Sequence, residues 1–361
     1  MAQESQRGIP DEMEAVVLHA PGEWAVEKTE TPAVDEVENV LLRMRAVAIC
    51  GTDPKLMNGK YDEWPPSYPF IPGHEYAGEV VDVHDSVNRF EPGDRVFGET
   101  PSGCGYCRMC REGRYNLCDN YGDFDSGHRQ IGHTMDGAYA EYVTVPEDML
   151  HHLDDTIPWG EAALLDTNAI ALQCSHRGEI DAGDTVAVIG TGTIGLCLVQ
   201  HAVSMGASDV IAIGNPSKNE MAAELGATDT ISYHDDDVVE QVRELTGGHG
   251  VDVTLEAVGI AQTVRQAVEM TRKGGRISVD GVPTEALNEI PVAQIALDEK
   301  EFVGNRAHAN KSEPSERLVR SDQVDLTPLI THEFDLEEFD AAYHARTDPD
   351  ENALRVVLYN E

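Results

Sequence analysis

Apolar and polar residues alternate in short runs over the first part of the chain, at Glu14–His19, Val40–Ile49, Tyr76–Val83 and Tyr139–Val145. A period of two, rich in β-branched and aromatic residues and bounded by Gly and Pro, predicts the strands of a β-rich domain up to about Pro158. The pattern then changes. A helical run at Ala162–Arg177 is followed by an apolar strand at Thr185–Ile189, a helix at Ile194–Met205 and a strand at Val210–Ile213, with further strands at Val251–Glu256 and Arg276–Val279. Strands alternating with helices imply right-handed crossovers and a doubly wound parallel sheet. From about Ile295 the β-rich texture returns, and Arg355–Leu358 ends the chain as a strand. The predicted organisation is therefore one β-rich domain made of residues 1–159 and 296–361, with an α/β domain of residues 160–295 inserted into it.

A chain of 361 residues suits about two domains, and two lobes with a cleft between them are expected. The polar stretch Met1–Glu14 does not read as a signal peptide, and no apolar run of about 18 residues spans a membrane, so a soluble cytoplasmic protein is expected. Charge narrows the picture further: 66 acidic residues against 26 basic ones leave a net charge of −40. Such a chain repels nucleic acid and anionic membranes, which excludes both as partners. Only seven of the cations are lysines. At about 1 M salt the screening length falls to roughly 3 Å and the self-repulsion fades, so a halophilic setting, as in a haloarchaeon, is expected. The acidic cluster Asp235–Asp237 reads as a solvated loop.

The strand Thr185–Ile189 runs directly into Gly190-Thr-Gly192-Thr193-Ile194-Gly195, which opens a helix. In that setting the glycines allow a tight turn and close approach to a pyrophosphate, and the helix N-terminus supplies a positive dipole. An enzyme using NAD carries an acid at the end of the next strand, about 20 residues on, for the ribose hydroxyls. Here that place reads Ile213-Gly214-Asn215-Pro216-Ser217-Lys218, with no acid. The gap favours NADP over NAD, with Asn215, Ser217 and Lys218 as contacts for the 2′-phosphate, and a Gly214→Asp change is expected to reverse the preference.

Of the seven cysteines, four stand as Cys104, Cys107, Cys110 and Cys118, in the pattern C-x2-C-x2-C-x7-C. Four thiolates in a short loop make a closed tetrahedral structural zinc site. An iron–sulfur cluster is the rival, but the bacterial ferredoxin pattern closes on C-x3-C-Pro, and here Asp119 follows Cys118. Cys50, in Cys50-Gly-Thr52-Asp53, and His74, in Gly73-His74-Glu75, outline a second site with an open position. Catalytic zinc uses three protein ligands and leaves the fourth place to water or substrate; the third ligand here could be a carboxylate.

From about Glu14 to Leu358 the chain resembles the zinc-containing medium-chain dehydrogenases, the family of alcohol, sorbitol, threonine and archaeal glucose dehydrogenases. The residues that carry the resemblance are Cys50-Gly-Thr-Asp53, Gly73-His-Glu75, Pro92-Gly-Asp-Arg-Val96, the four-cysteine loop, Asp136-Gly-Ala-Tyr-Ala-Glu-Tyr142 and the glycine motif. The resemblance implies a GroES-like catalytic domain joined to a Rossmann domain, two zinc ions per chain, NAD(P), and a homo-oligomer, dimer or tetramer. It implies that Cys50 and His74 ligate the catalytic zinc, with Glu75 as an exchanging ligand and Asp166 as the third. Asp53 would orient the zinc histidine, with Arg355 as its cationic partner. The metal would acidify the hydroxyl of a small alcohol substrate and Thr52 would take its proton, while hydride passes to nicotinamide. Many members carry a relay histidine where this chain has Lys55, so the proton leaves straight to solvent or through Lys55. Glucose 1-dehydrogenase and threonine 3-dehydrogenase activities fit the same motifs. A zinc-independent quinone or enoyl reductase would have lost the metal residues, and a binding protein would have no reason to keep an open metal site beside a nucleotide loop.

Overall fold

The computed structural model describes residues 8–37, 39–61, 65, 67–283 and 290–360. The chain falls into two compact units, Met1–Asp166 with Leu329–Glu361, and Thr167–Pro328. Residues 1–7 of the polar N-terminal stretch lie outside the described residues, as do Asp62–Trp64 and Pro66 of the loop that follows Lys55. No helix among the described residues is long and apolar enough to cross a membrane.

In the first unit, β1 (Glu12–Ala20) and β2 (Glu23–Glu30) form an antiparallel ribbon. β3 (Asn39–Ala48), β4 (Glu75–Val83) and β5 (Arg95–Gly98) follow as antiparallel neighbours in a larger sheet. β6 (Pro101–Ser102) and β7 (Arg129–Gln130) pair with each other on the cysteine-loop excursion. β8 (Tyr142–Pro146) pairs with β3, and β9 (Leu150–His152) closes the sheet edge against β5. The alternating runs seen in the sequence feed one apolar core, shared by Val40, Leu42, Met44, Tyr76, Val80, Tyr139 and Val143, and β3 is buried along most of its length.

The second unit is a six-stranded parallel sheet. Its strands are β10 (Thr185–Ile189), β11 (Asp209–Gly214), β12 (Asp229–Ser232), β13 (Val251–Glu256), β14 (Thr271–Val279) and β15 (Glu301–Gly304), in the spatial order β12-β11-β10-β13-β14-β15. The order reverses direction at β10, so the loop after β10 stands at the switch point where a doubly wound sheet binds its ligand. The central strand β10 carries Val186, Ala187, Val188 and Ile189, all buried, as befits a strand inside a parallel sheet.

β16 (Ile330–Asp335) and β17 (Arg355–Tyr359) return to the first unit, where β17 pairs with β3. The return comes at Leu329, not at 296 as the sequence pattern suggested. The β-like texture just after Ile295 is β15, which adds a sixth strand to the parallel sheet, and the helix Ser312–Arg320 follows it within the same unit. At the other boundary the helix Trp159–Ala163 stays with the first unit. There Gly160 lies so close to Tyr359 that a Cβ would meet its Oη at 2.3 Å.

Candidate functional site

Strand register builds the first cluster. β3 and β4 run antiparallel with Ala48 opposite Glu75, so the residues just past one strand lie beside those that open the next. Cys50, His74 and Glu75 are thereby brought together, with one donor atom of each within 4.8 Å of the other two. His74 and Glu75 are buried and Cys50 is half-buried.

Asp53 is fully buried and holds this cluster in place. Its Oδ2 accepts hydrogen bonds from the Cys50 backbone N–H and the Tyr139 hydroxyl, both at 2.7 Å, and its Oδ1 lies 3.2 Å from His74 Nδ1. Burial pushes the Asp53 carboxyl up, but the charge and hydrogen bond of His74 outweigh it and hold the group below the usual range. Burial likewise works against protonated His74, and the charges of Asp53 and Cys50 overcome it, raising His74 well above its ordinary value. With Asp53 on the Nδ1 side of the ring, Nε2 is the atom left for a metal, which the ring would bind as the neutral imidazole. Thr52 Oγ1 stands 3.4 Å from Nε2.

Arg355 does not partner Asp53 as expected. Its guanidinium meets Glu75 instead, NH1 to Oε2 at 2.8 Å and NH2 to Oε1 at 3.1 Å, while Asp53 is already occupied by His74, Tyr139 and a backbone N–H. Asp166, expected as the third ligand, stays outside the Cys50–His74–Glu75 cluster. It opens the helix Leu165–Gly178, is 3 % exposed, and accepts a hydrogen bond from Thr100 Oγ1 at 2.9 Å.

Two neighbours carry no signal in the sequence. His133 is buried with its ring 4.6 Å from that of His74; burial, and then the His74 charge, push it down to about 3, so it is a neutral imidazole. Tyr139 belongs to the Asp136–Tyr142 landmark, but the landmark does not say that its hydroxyl serves Asp53. A lone His or Tyr has no spacing that sets it apart from core.

In the second cluster the sulfurs of Cys104, Cys107, Cys110 and Cys118 all lie within 4.8 Å of one another. Gly103 permits the closure, since a Cβ there would meet Cys110 Sγ at 2.5 Å. Backbone N–H groups point at the sulfurs, Cys107 N to Cys104 Sγ, Cys110 N to Cys107 Sγ and Asp119 N to Cys107 Sγ, each at 3.4 Å. Desolvation raises the Cys104 thiol, but the hydrogen bonds from Cys107 and Tyr106 prevail and bring it down to about 6. Tetrahedral thiolate binding of zinc suits this arrangement.

The nucleotide loop lies in the second unit. Gly190 has a φ of 107°, and a Cβ on Gly195 would fall 1.7 Å from Gly190 O, so the turn and the helix behind it tolerate only glycine. Gly192 faces open space at the N-cap of the helix Thr193–Ser204, where a phosphate meets backbone N–H groups. A cavity of about 350 Å³ is lined by Gly190, Gly192, Gly214, Asn215, Lys218 and Tyr233, among others. Thr193, Ile194, Gly195 and Ser217 are not part of its lining. The Asn215 side chain caps the helix Pro216–Glu224, its Oδ1 accepting from Ser217 N and from Ser217 Oγ at 3.0 Å. Gly214 has no room for a side chain, because a Cβ would fall 1.9 Å from Thr191 Oγ1. The Gly214→Asp reversal expected from the sequence is therefore blocked by Thr191.

Comparison with known proteins agrees with both units. The alcohol dehydrogenase GroES-like domain model matches residues 36–155, and the zinc-binding dehydrogenase model matches residues 193–320. The chain is 32 % identical over 355 residues to a sorbitol dehydrogenase of Bacillus subtilis, covering 97 % of this chain and 98 % of that one. It is 34 % identical to an L-threonine 3-dehydrogenase of Caldanaerobacter subterraneus, covering 91 % of this chain and 93 % of the other. Among solved structures, a Sinorhizobium meliloti protein described as a zinc-binding dehydrogenase and bound to NADP superposes with a TM-score of 0.89 at 31 % identity, over 97 % of this chain and 100 % of that chain. Alcohol dehydrogenase TADH from Thermus sp. ATN1 gives 0.86 at 32 %, over 96 % and 99 %.

Proposed function

Since the chain belongs to the family of zinc-containing, NAD(P)-dependent medium-chain alcohol and polyol dehydrogenases, we propose that it oxidises the secondary alcohol of a polyol, sugar or simple alcohol with NADP as hydride acceptor. The observation that carries this reading is the Cys50–His74–Glu75 cluster, whose histidine is fixed by a buried Asp53 at 3.2 Å. Cys50 and His74 would hold the catalytic zinc, with Glu75 and Asp166 as the carboxylates that would supply the third ligand. Cys104, Cys107, Cys110 and Cys118 hold a second, structural zinc.

A zinc ion in the first donor set would supply Lewis acidity, bringing the pKa of a substrate hydroxyl near neutrality. Asp53 keeps the His74 proton on Nδ1, so the ring presents Nε2 in a fixed orientation. Arg355 offsets the charge of Glu75, which keeps a cluster that already carries a thiolate from accumulating further negative charge. Thr52 accepts the substrate proton and passes it outward, to solvent or through Lys55. In the other unit Gly192 and the first N–H groups of its helix would receive the pyrophosphate, and Lys218, in the lining of the same cavity, would supply positive charge to the 2′-phosphate. None of the seven cysteines forms a disulfide, the state a reducing compartment maintains, and we place the enzyme in a cytoplasm of high salt.

The test is a dehydrogenase assay in molar KCl with NADP and with NAD, over simple secondary alcohols, polyols, aldoses and threonine. NADP reduction with at least one of these, abolished in His74→Ala while the protein stays folded, is the expected result. Turnover that survives chelation of the zinc would overturn the mechanism. A tenfold preference for NAD, or an NADP KM unmoved by Lys218→Ala, would overturn the cofactor choice.

A further inference from the structure

We propose that Thr191 is a specificity-determining residue: it fills the space that a ribose-binding carboxylate at the end of β11 would need, so that Thr191 and Gly214 select the nucleotide together. The direction of the selection rests on the NADP reading above; the steric coupling does not.

Gly214 has no backbone reason to be glycine, for its φ is not among the positive values of the chain. Its reason is space. A Cβ at this position would lie 1.9 Å from Thr191 Oγ1, 2.3 Å from Thr191 Cγ2 and 2.5 Å from Thr191 Cβ. Rotation about χ1 moves Oγ1, Cγ2 and Hβ among three positions, so a heavy atom always stays on one of the two close positions while Cβ does not move, and no rotamer of Thr191 clears the site. Thr191 is also held where it is: it is 3 % exposed, and its hydroxyl accepts the Asn215 N–H at 3.0 Å. The backbone cannot retreat either. Gly190 N bonds Ile213 O at 2.8 Å on one side and Tyr233 N bonds Gly214 O at 3.0 Å on the other, while Gly214 pairs in register with Ser232.

A side chain at residue 214 therefore requires loss of the side chain at residue 191. Replacing Thr191 by Ala would still leave a Cβ at 2.5 Å, so only glycine suffices. With Thr191 in place, the ribose end of the cavity has Gly214, Asn215 and Lys218 in its lining and no carboxylate from the end of β11. A 2′-phosphate meets no like charge there, and the acceptor for two free ribose hydroxyls is missing. Thr191 thus acts on the nucleotide through the residue it forbids.

The experiment compares four zinc-loaded full-length proteins in molar KCl: wild type, Thr191→Gly, Gly214→Asp and the double variant, each titrated with NADP and with NAD. Gly214→Asp alone is expected to lose roughly tenfold or more in affinity for both nucleotides, and the double variant to regain NAD binding by about tenfold over it and to favour NAD. Thr191→Gly alone, which introduces no acid, is expected to keep the wild-type order of preference. Gly214→Ala and Thr191→Gly/Gly214→Ala separate volume from charge: the first should lower Tm and the second should restore it. Inversion of the preference by Gly214→Asp alone, or a double variant that regains stability but still favours NADP, would overturn the proposal. If wild type favours NAD, the NADP reading fails, and the comparison of Gly214→Asp and Gly214→Ala with their double variants still decides the coupling.

Discussion

Arg355 and Glu75 form a buried ion pair at 2.8 Å, with side chains 6 % and 3 % exposed, and the guanidinium also donates to Ile49 O at 3.3 Å. It joins β17 to the first residue of β4, within the Cys50–His74–Glu75 cluster. Removing one partner of such a pair leaves a charge buried and uncompensated, which costs about 3–5 kcal/mol, whereas removing both is often near neutral. Arg355→Met should therefore destabilise the protein by about that amount, and Glu75→Gln/Arg355→Met should recover most of it. Unfolding measured in molar KCl for both singles and the double checks this. Strict additivity of the two single effects would show that the pair has no coupling.

Elemental analysis should find two zinc ions per chain, one in each cluster, and the two should have separable roles. Cys104→Ser is expected to lose one zinc and to lower the unfolding temperature. His74→Ala is expected to lose the other and to abolish turnover with the fold retained. Glu75→Gln and Asp166→Asn should each weaken the catalytic zinc, and only their combination should remove it, if the two carboxylates exchange the third place. Equal unfolding by Cys104→Ser and His74→Ala would contradict the division, as would a zinc content of one in wild type.

Much of this was legible in the sequence because it depends on local spacing. The run Thr185–Ile189 coincides with β10 residue for residue, and Val251–Glu256 with β13, since a glycine, Gly190 after the one and Gly250 before the other, punctuates each run. The four cysteines were recognisable as one site because a short loop can close them around a single ion. What was not legible depends on long-range packing. Arg355 stands 280 residues from Glu75, and nothing in either segment distinguishes Glu75 from Asp53 as its partner. The texture after Ile295 looked like a return to the β-rich domain because a four-residue strand has the same pattern in either sheet; only the pairing of β15 with β14 assigns it. The sequence shows at Gly214 only the absence of an acid; the cause, Thr191, stands 23 residues earlier in the chain on the neighbouring loop.

His201 gives a pH dependence of known sign. It is fully buried with Nε2 2.9 Å from Asn168 Oδ1, and burial above all pulls its pKa down to about 4, against about 6.5 in an unfolded chain. A folded value below the unfolded one means that the unfolded chain binds the extra proton. The neutral ring's contribution is complete above pH 6.5 and is lost as pH falls from there towards 4, by up to about 3 kcal/mol. The stability of the wild type should fall over that window more steeply than that of His201→Gln, measured at constant molar KCl. Parallel curves for the two proteins would show that His201 does not titrate in this way.

The last expectation concerns salt. A net charge of −40 opposes the compact state, because folding brings the charges closer than they lie in the open chain. Few cations are available to offset them. Of the lysines, Lys300 is turned inward, where Nζ donates to Val268 O and Thr271 O at 2.7 and 2.6 Å. Screening is then the remaining remedy, and the Debye length falls from about 10 Å at 0.1 M to about 3 Å at 1 M. Thermal stability and activity should both rise with KCl towards molar concentration. Asp235→Asn with Asp236→Asn, on the exposed turn before the helix Val238–Leu245, should lower the salt needed for half-maximal stability. Sucrose, which is excluded from protein surfaces but screens nothing, should not substitute for the salt in this comparison. Full stability of the wild type in dilute buffer without salt or nucleotide would refute the halophilic assignment, and an unchanged salt midpoint in the double variant would mean that screening is not what the salt supplies.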